Sequence, residues 1–130
     1  MGLTKKTVVI MDDAAGTRKL VAYLLAEAGH EAVACGTSED TLAAVKEHSP
    51  DLVLLDVQMP GAAGESVAHI LRKSFPEVKV VYLSNYAPSV LQELAERTGA
   101  HGFVQKSGDI DEMLEAISGY LDDDEAPAEA

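Results

Sequence analysis

Two apolar runs in this chain end on carboxylates. "VVIMDD" leads Val8–Met11 into Asp12 and Asp13, and "DLVLLDVQMPG" leads Leu52–Leu55 into Asp56 before Met59, Pro60 and Gly61 break the chain. Carboxylates gathered in one place repel each other unless a cation neutralises them. The matching cation is a hard divalent ion with oxygen ligands. Magnesium accepts one or two carboxylates, keeps several waters and welcomes phosphate oxygens. Two further polar residues follow apolar runs, Ser84 after "VVYL" and Lys106 after "GFVQ". A lysine supplies a point charge opposite the metal and a serine supplies a hydroxyl donor. Such a group could hold a phosphoryl bonded to a carboxylate, because aspartate can act as a nucleophile toward phosphorus. Catalysis there is mostly positioning and charge neutralisation. Zinc is not indicated: His30, His48, His69 and His101 lack ligand spacing and read as solvated or edge residues, and Cys35 is a single thiol.

Plainer readings exist for each residue. Asp12 or Asp13 could cap a helix. Asp56 could punctuate a strand, Ser84 could cap a helix or sit in a turn, and Lys106 could be a loop lysine. Phe103 could be ordinary core.

The elements that must position these residues alternate along the chain. Strands are expected at Thr7 to Met11, His30 to Cys35, Leu52 to Leu55, Val78 to Leu83 and Gly102 to Gln105. Helices are expected at Thr17 to Ala28, with Leu20, Val21, Leu24 and Leu25 inward and Gly29 as the stop, and at Ser38 to Glu47, with Ser38 as the cap and Leu42 and Val45 inward. Three more are expected at Ser66 to Lys73 (Val67, Ile70, Leu71), Ser89 to Arg97 (Val90, Leu91, Leu94) and Ile110 to Leu121 (Ile110, Met113, Leu114, Ile117, Leu121). Near-continuous apolar strands are buried on both faces, which means a parallel sheet between helix layers. Ligands of such sheets bind beyond the carboxyl ends of the strands. Asp12, Asp13, Asp56, Ser84 and Lys106 all leave their strands at that edge.

Composition bounds the rest. At 130 residues the chain is one domain by size, and 47% of it is apolar. Lys plus Arg number 10 against 22 Asp plus Glu, a formal charge of -12, which argues against a nucleic-acid surface. Part of that charge lies in "LDDDEAPAEA", read as an acidic disordered tail or a cut linker over residues 122–130, with residues 1–121 as the folded unit. One cysteine allows no internal disulfide, and Cys35 reads as a small buried side chain. No apolar stretch is long enough for a membrane span, and a reducing cytoplasm is the expected setting.

The ordered motifs resemble the receiver domain of two-component response regulators over nearly all of residues 5–121. They comprise Asp12-Asp13, Arg18, "DVQMPGAAG" with Pro60 and Gly64 four and eight residues after Asp56, Ser84, and "GFVQK". The resemblance implies a flavodoxin-like α/β fold, a doubly wound sheet of five parallel strands in the order 2-1-3-4-5 with five helices. It implies Asp56 as phosphoacceptor, and Mg²⁺ or Mn²⁺ held by Asp13, Asp56 and the Gln58 main chain, with Asp12 acting through water. Lys106 and Ser84 would bind the phosphoryl, Ser84 and Phe103 would switch, and Gln58 and Tyr86 would tune phosphoryl lifetime. The implied donor is a histidine kinase or histidine phosphotransfer protein. The implied output is the surface of the fourth helix, fifth strand and fifth helix, which would meet an unidentified protein target or a second copy of the chain. The domain would catalyse only its own phosphorylation and dephosphorylation.

Departures from the common pattern are Ser107, where many members carry a cis proline after the lysine, Asn85 where the residue is usually small, and Phe103 without a tyrosine hydroxyl. A non-proline cis bond costs about 3–4 kcal/mol, which leaves the Lys106–Ser107 geometry open. Competing functions are a phosphorylation-independent interaction or dimerisation domain and a small Asp-nucleophile phosphohydrolase. The second lacks the Asp-x-Asp arrangement and a cap domain, and a flavin binder would need a Ser/Thr-rich loop after the first strand.

Overall fold

Strand residues alternate between two cores, and this alternation organises the molecule. Residues 5–106 and 109–122 are described by a computed structural model. The strands are β1 (Thr7–Met11), β2 (Glu31–Cys35), β3 (Leu52–Asp56), β4 (Lys79–Ser84) and β5 (Gly102–Gln105), all parallel in the order β2-β1-β3-β4-β5. The helices are α1 (Ala15–Glu27), α2 (Ser38–His48), α3 (Ala63–Ser74), α4 (Pro88–Thr98) and α5 (Ile110–Asp122). Val8, Ile10, Leu52, Leu54, Val81, Leu83 and Val104 face one side and pack with Val21 and Leu25 of α1 and Met113, Ile117 and Leu121 of α5. Their neighbours Val9, Met11, Val53, Leu55, Val80 and Tyr82 face the other side and pack with α2, α3 and α4. Side chains of a strand point alternately to opposite faces, so a run that is apolar throughout needs a helix layer on each.

The flavodoxin-like sheet and its strand order are as expected, and element ends differ by a few residues. The largest difference is at α3, expected from Ser66. Pro60–Ala62 form a 3₁₀ turn in which Gly61 (φ 68) and Ala62 (φ 55) are left-handed, and the helix runs from Ala63. The α2 cap is Thr37, whose hydroxyl accepts the Asp40 N–H at 3.1 Å, and not Ser38, which is the first helical residue. Leu20, Ile70, Val90 and Ile110, expected on inward stripes, are 40–48% exposed. Each lies at the margin of a stripe whose centre the sheet covers. Cys35 is buried as expected, and burial pushes its thiol pKa up. His30 and His101 do more than edge a surface: their Nδ1 atoms accept the Lys6 N–H (3.1 Å) and the Val80 N–H (3.0 Å). The Lys106–Ser107 bond and residues 123–130 lie outside the described residues. No helix among those described is long and apolar enough to cross a membrane.

Candidate functional site

Register and alternation bring the polar residues together. Strand order reverses between β1 and β3, the point at which ligands bind in such sheets. Met11 pairs with Leu55, so the next residues, Asp12 and Asp56, sit side by side. The Asp12 N–H extends the β1–β2 ladder by donating to Cys35 O (3.1 Å), and the Lys106 N–H extends β5 by donating to Ser84 O (2.7 Å). Asp12, Asp56 and Lys106 thus continue the strand positions that face α1 and α5. Ser84 continues Val80 and Tyr82 and belongs by alternation to the opposite face.

Asp12 is fully buried, Asp56 is 2% exposed, and Asp13 is open to solvent. One carboxylate oxygen from each lies within 4.8 Å of the others. Lys106 Nζ stands 2.9 Å from Asp12 Oδ2 and 3.5 Å from Asp56 Oδ1. The ammonium pairs charge with Asp12 Oδ2 but is not aligned for a hydrogen bond, and that buried atom has no hydrogen-bond donor among the described residues. The cluster of three carboxylates has one ammonium beside it, paired with two of them. Burial pushes the Asp56 carboxyl above the ordinary carboxylate range, and Asp12 pushes it the same way. The Gln58 N–H and Lys106 pull against that shift. The all-oxygen donor set and the excess negative charge fit a hard divalent cation.

Neither Asp12 nor Asp13 caps α1. Its N-cap is Ala14, without a side-chain cap, and Asp12 Oδ1 instead accepts the Ala14 N–H at 2.9 Å and turns the loop. Arg18 Nη1 donates to Asp12 O at 2.7 Å. The guanidinium crosses so close to Gly36 that a Cβ there would lie 2.8 Å from Nη1, so a glycine at 36 leaves room for the clamp. Gly64 plays a similar part beneath Asp56, where a Cβ would run into the Asp56 carbonyl oxygen.

The Asp56 Oδ1 atom accepts the Gln58 N–H at 2.9 Å. The Gln58 side chain turns the other way: its Oε1 accepts from Ser84 Oγ (3.2 Å) and from the Asn85 N–H (2.9 Å). Ser84 Oγ also accepts the Tyr86 N–H (3.1 Å), so it sits in a turn, and the α4 cap is Ala87. Gln105 Nε2 donates to Tyr86 O at 3.0 Å. Phe103 is half-buried against the core that contains α4. Tyr86 is 41% exposed. The bonds made by the Gln58 and Gln105 side chains were not legible in the sequence, where the only signal was two amides placed near strand ends.

Residues 8–118 match the family described as the response regulator receiver domain. The chain belongs to that family: it is a receiver domain of two-component response regulators. The transcriptional regulatory protein DegU of Brevibacillus brevis is 34% identical over 115 residues, 87% of this chain and 49% of that protein. The polar-differentiation response regulator DivK of Brucella ovis is 27% identical over 120 residues, 91% of this chain and 98% of that protein. A CheY-like receiver domain protein from Methanospirillum hungatei JF-1 has the same fold, with a TM-score of 0.82 at 24% identity, covering 94% of this chain and 98% of that one. The chain spans about half or less of several curated relatives and nearly all of DivK.

Proposed function

We propose that Asp56 accepts a phosphoryl group from a histidine kinase or histidine phosphotransfer protein. The observation that carries this reading is a buried carboxylate at the point of strand reversal, flanked by Asp12 and Lys106. A carboxylate oxygen of Asp56 attacks phosphorus, the phosphorus–nitrogen bond to the donor histidine breaks, and that electron pair stays on the imidazole nitrogen. Asp13, Asp56 and the Gln58 main-chain carbonyl would hold Mg²⁺ or Mn²⁺, with Asp12 acting through water. The cation supplies charge neutralisation for the phosphoryl oxygens. Lys106 holds the Asp56 carboxylate before transfer and a phosphoryl oxygen after it. Ser84 donates its hydroxyl to another phosphoryl oxygen. Tyr86 and Gln58 border the site and limit the approach of water, which sets phosphoryl lifetime.

The phosphoryl adds a charge of about -1.5 to -2 and can act as a signal only by favouring one of two conformations. Ser84 and Phe103 carry that bias to α4, β5 and α5, the surface offered to a protein target or a second copy. The domain is a cytoplasmic switch and turns over only its own phosphoryl group. Acetyl phosphate with Mg²⁺ should add one phosphoryl mass to the wild type and none to Asp56→Asn. An unlabelled wild type, or equal labelling of both, overturns the reading.

A further inference from the structure

We propose that the Gln58 side-chain amide is a latch that holds the Ser84 hydroxyl away from Asp56 until a phosphoryl group competes for it. The inference rests on Asp56 being the phosphoacceptor and concerns what opposes switching.

A serine hydroxyl has one donor. Here that donor is committed to Gln58 Oε1 at 3.2 Å. Its oxygen accepts the Tyr86 N–H at 3.1 Å. The hydroxyl therefore cannot donate to an oxygen on Asp56 without leaving Gln58. The same Oε1 accepts the Asn85 N–H at 2.9 Å, so one amide oxygen ties together the strand end and the loop after it. Gln58 also touches the acceptor carboxylate, because its own N–H donates to Asp56 Oδ1 at 2.9 Å. One residue thus holds the carboxylate by its main chain and the hydroxyl by its side chain. From the far side, Gln105 Nε2 donates to Tyr86 O at 3.0 Å and ties the loop to β5. The 85–87 loop is held by an amide on each flank, and among the described residues only the Gln58 amide competes for the Ser84 proton.

Alternation makes the competition geometric as well. Ser84 lies on the α4 side of the sheet and the Asp12–Asp56–Lys106 group on the other, so its hydroxyl must swing past the sheet edge to reach a phosphoryl. Gln58 is exposed, so its bonds exchange readily with water and the latch is weak enough to open.

The test uses beryllofluoride with saturating Mg²⁺ as a non-covalent phosphoryl mimic, measured by calorimetry on wild type, Gln58→Leu, Ser84→Ala and the double variant. Losing one neutral hydrogen bond that opposes binding should tighten Gln58→Leu by about 3- to 10-fold. The gain should shrink toward onefold in the Ser84→Ala background. Gln58→Glu is the second variant. A carboxylate accepts more strongly, so it should weaken binding more when Ser84 is present than in the Ser84→Ala background, where only charge repulsion is left. Equal affinity of wild type and Gln58→Leu, or a gain undiminished by Ser84→Ala, overturns the latch. Failure of the phosphoacceptor reading looks different: no variant binds beryllofluoride or is labelled by acetyl phosphate, and the latch falls with it.

Discussion

Gly64→Ala tests whether backbone packing under Asp56 sets the site. A Cβ at residue 64 would collide with the Asp56 carbonyl oxygen and would lie 3.2 Å from the Asp56 carbonyl carbon and 3.4 Å from Val57 Cα. All three are backbone atoms, so no rotamer change relieves the contact. Either the start of α3 or the end of β3 must move. Overpacking of this kind costs about 1–3 kcal/mol. Replacing a helical glycine by alanine returns about 0.5–1 kcal/mol, which leaves a net loss of about 0.5–2 kcal/mol. For a domain of this size that is a fall in Tm of roughly 2–8 °C. The functional effect is larger, because a shift of about 1 Å at a reacting group can cost on the order of 100-fold in rate. Calorimetry and acetyl phosphate labelling read the two effects separately. Gly16→Ala in α1 is the control: its Cβ meets nothing within 4 Å, so it should gain stability and keep the labelling rate. A Gly64→Ala protein as stable as wild type and labelled as fast would refute the reasoning.

Two further outcomes follow from the charges. Burial, then Arg72 and Lys79, lower the pKa of His101, whose neutral Nδ1 accepts the Val80 N–H; a lowered folded-state value gives stability that is present above about pH 6.5 and lost as pH falls through the folded value. His101→Asn keeps an acceptor without titrating, so its urea midpoint should fall less than that of wild type between about pH 7 and pH 5. The raised Asp56 pKa has the opposite sign: stability is present below the unfolded carboxylate value and lost as pH rises through the folded one. Asp56→Asn should therefore melt above wild type at neutral pH, and the gap should close as pH falls into the carboxylate range.

The fold was legible because burial on both faces leaves a strong sequence trace. Val8–Met11 and Leu52–Leu55 are apolar at every position, which only a doubly covered strand requires. The acids were legible for the same reason, since a charge ending such a run is conspicuous. Helix stripes were less so. A helix lying on a sheet buries a narrow stripe, so Leu20, Ile70, Val90 and Ile110 fit the periodicity and still lie at its margin. Thr37 and Ser38 are adjacent hydroxyls, and the side chain alone does not tell which one starts α2. Contacts between loops left no trace at all. Gln58 and Ser84 are 26 residues apart in no periodic relation, and a glutamine in a polar loop has no preferred partner until the chain folds.

Sheet alternation also bears on how strongly the proposed switch would be thrown. Asp12, Asp56 and Lys106 share one face, while Ser84 shares the other with the residues that pack α4. If Asp56 is phosphorylated as proposed, the hydroxyl is the group placed to carry the state of one face to the helix on the other. In the ground state it makes a neutral hydrogen bond to Gln58, worth about 0.5–1.5 kcal/mol, and a bond to a charged phosphoryl oxygen is worth about 1.5–3 kcal/mol. On the proposed reading the exchange would favour the phosphorylated arrangement by about 1–2 kcal/mol, a population shift of roughly 5- to 30-fold. A shift of that size biases the equilibrium without completing it, since moving from 1:99 to 99:1 needs about 5.5 kcal/mol. If α4, β5 and α5 form the switched surface as proposed, a partner that prefers it should, by linkage, also raise phosphoryl occupancy at Asp56.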